Sequence, residues 1–165
     1  LFRSETSVNM GQPAFEWDKV PLAKNIPTLE LPIEGAPSAT GMGNPHCTFF
    51  VEDAEKINLE EMGPKFENHP LFPERTNVQF ASITAPDRIR MRVWERGVGV
   101  TLASGSSSCA TAVSANRRGL TGKNVQIELD GGILDINWRE DGVWMTGPTM
   151  QVFSGHFSDE FLKSL

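Results

Sequence analysis

The chain has 165 residues, 39% hydrophobic and 22% charged, the size and composition of one soluble globular domain able to bury a core. Its net charge of −6 speaks against nucleic acid, whose phosphates call for clustered Lys and Arg. Its apolar stretches fall far short of the roughly 20 residues that cross a bilayer, and no charged segment followed by an apolar run reads as a signal peptide.

The chain begins with Leu1 rather than Met, as a fragment or a processed product would. Its two cysteines, Cys47 and Cys109, belong to no CxxC pair, so the expectation is two reduced, buried thiols in a cytoplasmic protein. His46, His69 and His156 are not spaced as metal ligands, and no His/Cys cluster supports zinc.

Residues 11–38, punctuated by Pro13, Pro21, Pro27, Pro32 and Pro37, read as extended strand and loop. A β-rich stretch follows over Thr40–Glu52. Ile57, Leu59, Met62 and Phe66 give residues 54–68 a helical period, which Pro64 is expected to interrupt. Two strands come next, Asn77–Thr84, with Val78, Phe80 and Ile83 as core candidates, and Ile89–Arg96. In the second, Ile89, Met91, Val93 and Glu95 alternate with Arg90, Arg92, Trp94 and Arg96.

Residues 105–118 read as a helix opening on small serines and rich in alanine, with Arg117 and Arg118 at its negative pole and Gly119 as terminator. Four strands finish the pattern: Asn124–Leu129, Ile133–Trp138, Val143–Met145 and Met150–Gly155. Gly131-Gly132 and Asp141-Gly142 mark hairpins, and a short tail helix covers Asp159–Lys163. The expected fold class is α+β: a curved, barrel-like, mostly antiparallel sheet wrapped around one central helix.

Three segments concentrate polar residues. In Gly43-Asn44-Pro45-His46, the proline forces Asn44 toward extended backbone and sets His46 on the same face. Trp94-Glu95-Arg96-Gly97 ends a strand with Glu95 and Arg96 on opposite faces. Residues 97–107 run through glycines into the helix start, where N–H groups without intrahelical partners favour an anion against Gly105, Ser106 and Ser107. Each segment alone also fits a structural role: a turn, a solvated strand end, or an ordinary N-cap at Ser104 or Ser106.

Taken together, Met42-Gly-Asn-Pro-His-Cys47, Phe72-Pro-Glu-Arg-Thr-Asn-Val78 and Trp94-Glu-Arg-Gly-Val-Gly-Val-Thr-Leu-Ala-Ser-Gly105 resemble the carboxy-terminal half of the diaminopimelate epimerases. Val8-Asn-Met-Gly-Gln-Pro13 resembles the sequence that opens that half. The likeness covers nearly the whole chain. It implies a single domain over 1–165, one of two pseudo-equivalent domains, with the amino-terminal half absent. The activity implied is a cofactor-independent, two-base interconversion of LL- and meso-diaminopimelate, in lysine and peptidoglycan biosynthesis.

Carried over residue by residue, the resemblance puts Asn44 on the substrate and His46 beside the reacting centre. Asn77 would bond the distal end, Arg96 would pair with the distal carboxylate, and Glu95 would face the reacting amine and its acid–base groups. Gly105 and Ser106 would offer backbone N–H groups to the reacting carboxylate. The implied partners are diaminopimelate and the missing half, with homodimerisation left open and no nucleic acid or membrane. Where the missing half would sit, apolar surface is expected to lie exposed.

One position departs from the pattern. The family's Ala-Cys-Gly is Ala103-Ser104-Gly105 here. A thiol ionises with a pKa of roughly 8.5, lowered at a helix N-terminus, whereas a serine hydroxyl is a poor base for a weakly acidic α-carbon. Cys109 lies more than a turn into the helix, and Cys47 matches a family position without a catalytic role. The sequence therefore reads as half of an epimerase site, inactive in this form, whether Ser104 was introduced or arose naturally. A proline racemase-like or phenazine-biosynthesis-like isomerase of the same fold, or a non-catalytic amino-acid-binding domain, are the alternatives.

Overall fold

Strand signals dominate the sequence, and in the computed structural model, which describes residues 4–164, nine strands join one sheet. In chain order the elements are β1 (Ser4–Asn9), β2 (Ser38–Gly41), β3 (Pro45–Phe50), α1 (Leu59–Glu67), β4 (Asn77–Ala85), β5 (Arg88–Glu95) and β6 (Gly99–Thr101). They continue with α2 (Gly105–Arg117), β7 (Asn124–Leu129), β8 (Gly132–Arg139), β9 (Gly142–Thr149) and α3 (Asp159–Lys163). The strand order is β1-β9-β8-β7-β5-β4-β3-β2, with β6 beside β5. Among the described residues only β3–β4 and β5–β7 pair in parallel.

The segment after β1 straps the two ends of this order together. The Met10 N–H donates to Val143 O at 2.8 Å, and the Val143 N–H donates to Gly11 O at 2.9 Å. Three residues on, Ala14 and Gly41 exchange two backbone hydrogen bonds of 2.9 Å, which reaches the β2 edge. The curved sheet thus comes close to a barrel, with α2 inside it.

Every residue of α2 from Ser107 to Ala115 is buried. Small side chains allow such enclosure, and the buried hydroxyls find partners. Ser108 Oγ donates to Ser104 O at 2.8 Å, and Ser114 Oγ lies 2.9 Å from Thr40 Oγ1. Ala110, Ala112 and Val113 meet Ile89, Met91 and Val93 of β5 and Val125, Ile127 and Leu129 of β7. The helix ends as its sequence predicts, with Gly119 at φ +70 and the N–H groups of Gly119 and Leu120 donating to Asn116 O and Ala115 O.

The opposite face of the sheet carries a second core. Leu59 and Phe66 of α1, with Val20, Leu22 and Leu31 from the proline-rich segment, pack on Phe49 of β3 and on Val78 and Phe80 of β4. Val78 and Phe80 are therefore core residues, but of the outer layer. Their neighbour Gln79 faces α2.

Several expectations need correction. Pro64 does not interrupt the helix: α1 runs through it, and the one N–H donor it costs is offset by the packing of Leu59 and Phe66 in the outer core. Ile83 is exposed, at the irregularity that separates Ile83 from Ala85 in the β4–β5 register. Thr40–Glu52 is β-rich as expected, holding the end of β2 and all of β3, which pair antiparallel. Residues 11–38 hold turns and one isolated bridge but no extended strand before Ser38.

At the carboxyl end, β9 is longer than its three apolar residues suggested and runs to Thr149 because β1, which the sequence did not announce, pairs along it. Met150–Gly155 is not a strand and lies exposed. The hairpins at Gly131-Gly132 and Asp141-Gly142 and the tail helix stand as expected.

Candidate functional site

The polar residues singled out in the sequence converge at the amino end of α2. β5 delivers Glu95 there, the β6 hairpin returns the chain, and Ser104 caps the helix in extended backbone at φ −149. Its side chain makes no capping bond. Instead Ser104 Oγ lies 3.0 Å from both Glu95 Oε2 and Ser107 Oγ. Thr101 Oγ1 donates to the other oxygen of Glu95 at 2.6 Å.

Gly105 and Ser106 occupy the first two helical positions, half-buried, where their N–H groups have no intrahelical acceptor. A Cβ on Gly105 would press on Met145 of β9, so glycine also permits this close approach. Between Glu95 and Ser104, Val98, Val100 and Leu102 stand exposed, an apolar rim beside the polar cluster.

His46 and Asn44 meet as the Asn-Pro-His spacing implied: His46 Nε2 lies 2.8 Å from Asn44 Oδ1. His46 is fully buried, and burial, with the Arg96 charge second, lowers its pKa to about 3. It is an uncharged imidazole at neutral pH. His46 does not touch Ser104. Its Nδ1 is 3.0 Å from Gln79 Nε2, and Ser107 Oγ, at 3.5 Å, stands between the ring and Ser104.

Asn77 and Arg96 come together through backbone. The Asn77 amide donates to Pro45 O and accepts the Arg96 N–H, both at 2.9 Å, which ties the ends of β3, β4 and β5. The Arg96 guanidinium donates to Glu74 O at 3.1 Å and has no carboxylate partner among the described residues. A guanidinium without a carboxylate partner, two helix N–H groups and the Glu95 carboxylate can together bind a molecule carrying both carboxylates and an amine.

Both cysteines lie away from this chemistry. Cys47 is fully buried with its thiol pKa pushed up, and burial pushes Cys109 up to about 12. The residue at position 104 is the one side chain at the helix start facing Glu95.

Two residues of the cluster escaped the sequence reading, Gln79 and Glu67, while Ser107, named there for its backbone N–H, contributes its hydroxyl as well. Gln79 shares the face of Asn77 two positions earlier in β4, a parity signal that could have found it. Ser107 is a helix serine like its neighbours. Glu67 is buried on α1 and accepts from Trp94 Nε1 at 2.6 Å, the Gly97 N–H at 2.8 Å and Arg75 Nη1 at 3.2 Å. It steadies the turn after Glu95 and Arg96, and nothing in its local sequence marks it. A separate cavity of about 600 Å³, lined by Phe15, Trp17, Thr28 and Arg117, lies at the far end of α2.

The fold has solved counterparts. A predicted epimerase of Pseudomonas aeruginosa matches 91% of this chain and 59% of its own at a TM-score of 0.56 and 17% identity. A probable proline racemase of Agrobacterium radiobacter matches 91% and 54% at 0.55 and 13%. In sequence, the diaminopimelate epimerase of Rhodospirillum centenum is 52% identical over 161 residues, covering 94% of this chain and 55% of the relative. That of Acidiphilium cryptum is 51% identical, with 94% and 58% covered. The chain therefore spans little more than half the length of these relatives. The family model of diaminopimelate epimerase matches residues 38–152, which include Asn44, His46, Glu95, Arg96 and Ser104, and the chain belongs to the diaminopimelate epimerase family.

Proposed function

We propose that this chain is the carboxy-terminal half of an epimerase site for diaminopimelate, working without cofactor in the cytoplasm, and that it is inactive with serine at position 104. The observation that carries this reading is the Ser104–Glu95 pair at the start of α2, in a chain of this family.

The residues have complementary tasks. The Gly105 and Ser106 N–H groups receive the reacting carboxylate and stabilise the extra charge that develops on it when the α-proton leaves. Glu95 accepts from the reacting amine and from the acid–base group at 104. Arg96 pairs with the distal carboxylate, Asn77 holds the distal end, and Asn44 contacts the substrate. The second base, on the other face of the α-carbon, comes from the amino-terminal half, which also covers Val98, Val100 and Leu102.

Position 104 decides activity. A thiol there would ionise near neutral pH and take the α-proton, whereas serine would have to form an alkoxide beside the negative charge of Glu95. Two unpaired, buried thiols fit a reducing compartment. The test is α-proton exchange with diaminopimelate in deuterated water, using the protein assembled with its other half. Ser104→Cys is expected to raise exchange by orders of magnitude over the serine form; no exchange in the Ser104→Cys protein would refute the reading. A competition panel of proline, hydroxyproline and diaminopimelate fixes the substrate branch.

A further inference from the structure

Behind the surface residues of the site runs a chain of buried polar groups that no part of the proton transfer uses. Gln79, fully buried in β4, stands beside Thr48 of β3 in the parallel register. Thr48 Oγ1 donates to Gln79 Oε1 at 3.1 Å. The amide nitrogen of Gln79 then points inward, 3.0 Å from His46 Nδ1 and 3.0 Å from Ser107 Oγ. On the far side of the imidazole, Nε2 lies 2.8 Å from Asn44 Oδ1, and Asn44 Nδ2 has no partner among the described residues.

The donor inventory gives this chain a direction. An amide nitrogen donates and cannot accept, so His46 Nδ1 must be the unprotonated nitrogen of the ring. A neutral imidazole then carries its proton on Nε2, and that N–H needs an acceptor. Asn44 can supply one only through Oδ1, which turns its two amide N–H groups away from the histidine. Flipping the Gln79 amide would reverse the sequence, but it would strand the hydroxyl proton of Thr48, which is itself fully buried.

We propose that Gln79 is a positioning residue that fixes the His46 tautomer and, through it, the direction of the Asn44 amide. It thereby makes Asn44 a donor that selects an acceptor oxygen on the substrate over an ammonium group. The specificity part rests on the epimerase reading above; the tautomer part does not.

The experiment is a two-bond ¹H–¹⁵N imidazole spectrum of the complete protein labelled at histidine, without substrate, with His69→Gln and His156→Gln variants to assign His46. His46 is expected to show an acceptor-type Nδ1 and a protonated Nε2; a protonated Nδ1 in the unmodified protein would overturn the proposal. In Gln79→Glu the carboxylate can only accept, so Nδ1 is expected to become protonated, and an unchanged spectrum would count against the proposal. Should that variant not fold, Gln79→Met fills the same space without a hydrogen bond, and the His46 signals are expected to move to a mixture of tautomers; signals that stay in place would be the contrary result.

In the Ser104→Cys background, Gln79→Met is expected to raise the KM for diaminopimelate about tenfold, by more than it lowers kcat. An unchanged KM would overturn the specificity part. A Ser104→Cys protein without any exchange would sink the epimerase reading and leave the tautomer result standing.

Discussion

Ser104 Oγ and Glu95 Oε2 stand 3.0 Å apart across the mouth of α2, and Thr101 holds the other oxygen of the same carboxylate. A hydroxyl facing an acceptor-only carboxylate donates a hydrogen bond to it and keeps its proton, so Glu95 holds the side chain at position 104 in place.

From this follows the first prediction. In the assembled Ser104→Cys protein, Glu95→Gln is expected to lower α-proton exchange by about 10²-fold or more, the usual contribution of a placed acid–base group. Circular dichroism should stay unchanged, since Glu95 is only half-buried at a strand end. Exchange within a few-fold of the parent would show that Glu95 takes no part in the proton transfer.

Acid should weaken the fold through His46. Its folded pKa of about 3 lies well below the 6.5 of an unconstrained imidazole. Between these values the unfolded chain binds a proton that the folded chain refuses. The contribution of the neutral ring is therefore complete above pH 6.5 and is lost as the pH falls toward 3, at up to about 1.4 kcal/mol per pH unit. Denaturant unfolding of the protein at a series of pH values, with and without His46→Asn, checks this. The variant should be less stable at neutral pH, with a shallower slope that closes the gap between about pH 6 and 4; parallel curves would contradict the assignment.

Gly63 sits in α1 under the indole of Trp94, where an added Cβ would overlap the ring. Helix propensity alone makes Gly→Ala favourable by about 1 kcal/mol. Here the overlap decides the sign, because the indole cannot swing aside without breaking its hydrogen bond to the buried Glu67. Gly63→Ala is expected to destabilise by roughly 1–3 kcal/mol in equilibrium unfolding, the range for overpacking. It should also loosen the Glu95–Gly97 turn that Glu67 supports. A stabilised variant would mean that Trp94 is free to move.

The parts of this molecule that were legible in the sequence are those with a strong local pattern. The alternation through Ile89, Met91 and Val93, the helix from Gly105 to Gly119 and the two glycine hairpins all encode their own conformation. The parts that were not legible depend on partners far away. Ser4–Asn9 becomes a strand only because β9 lies alongside it, and Pro64 is tolerated because α1 is held against Trp94 and the outer core. Ile83 has the right residue type for burial but falls at a register shift.

The site divides in the same way. Asn44, His46, Glu95, Arg96 and Ser104 were found as motif residues. Their supporting neighbours were not, since Gln79 and Glu67 owe their roles to hydrogen bonds that span 33 and 30 residues of sequence, to His46 and to Gly97. His46 itself changes character in the structure. The sequence put it beside the reacting centre, yet with both nitrogens engaged and its charge suppressed it is better suited to hold Asn44 than to carry protons.

The strand that pairs Ser4 with Thr149 has a consequence for how the molecule comes into being. A contact between residues 145 positions apart must close a long loop before it returns any stabilisation. During synthesis, β1 has no pairing partner until β9 has left the ribosome. The strap from Met10 to Ala14, which needs both Val143 and Gly41, waits with it. β1 is therefore among the last strands of this domain to find its place, in a late step that joins the two ends of the sheet.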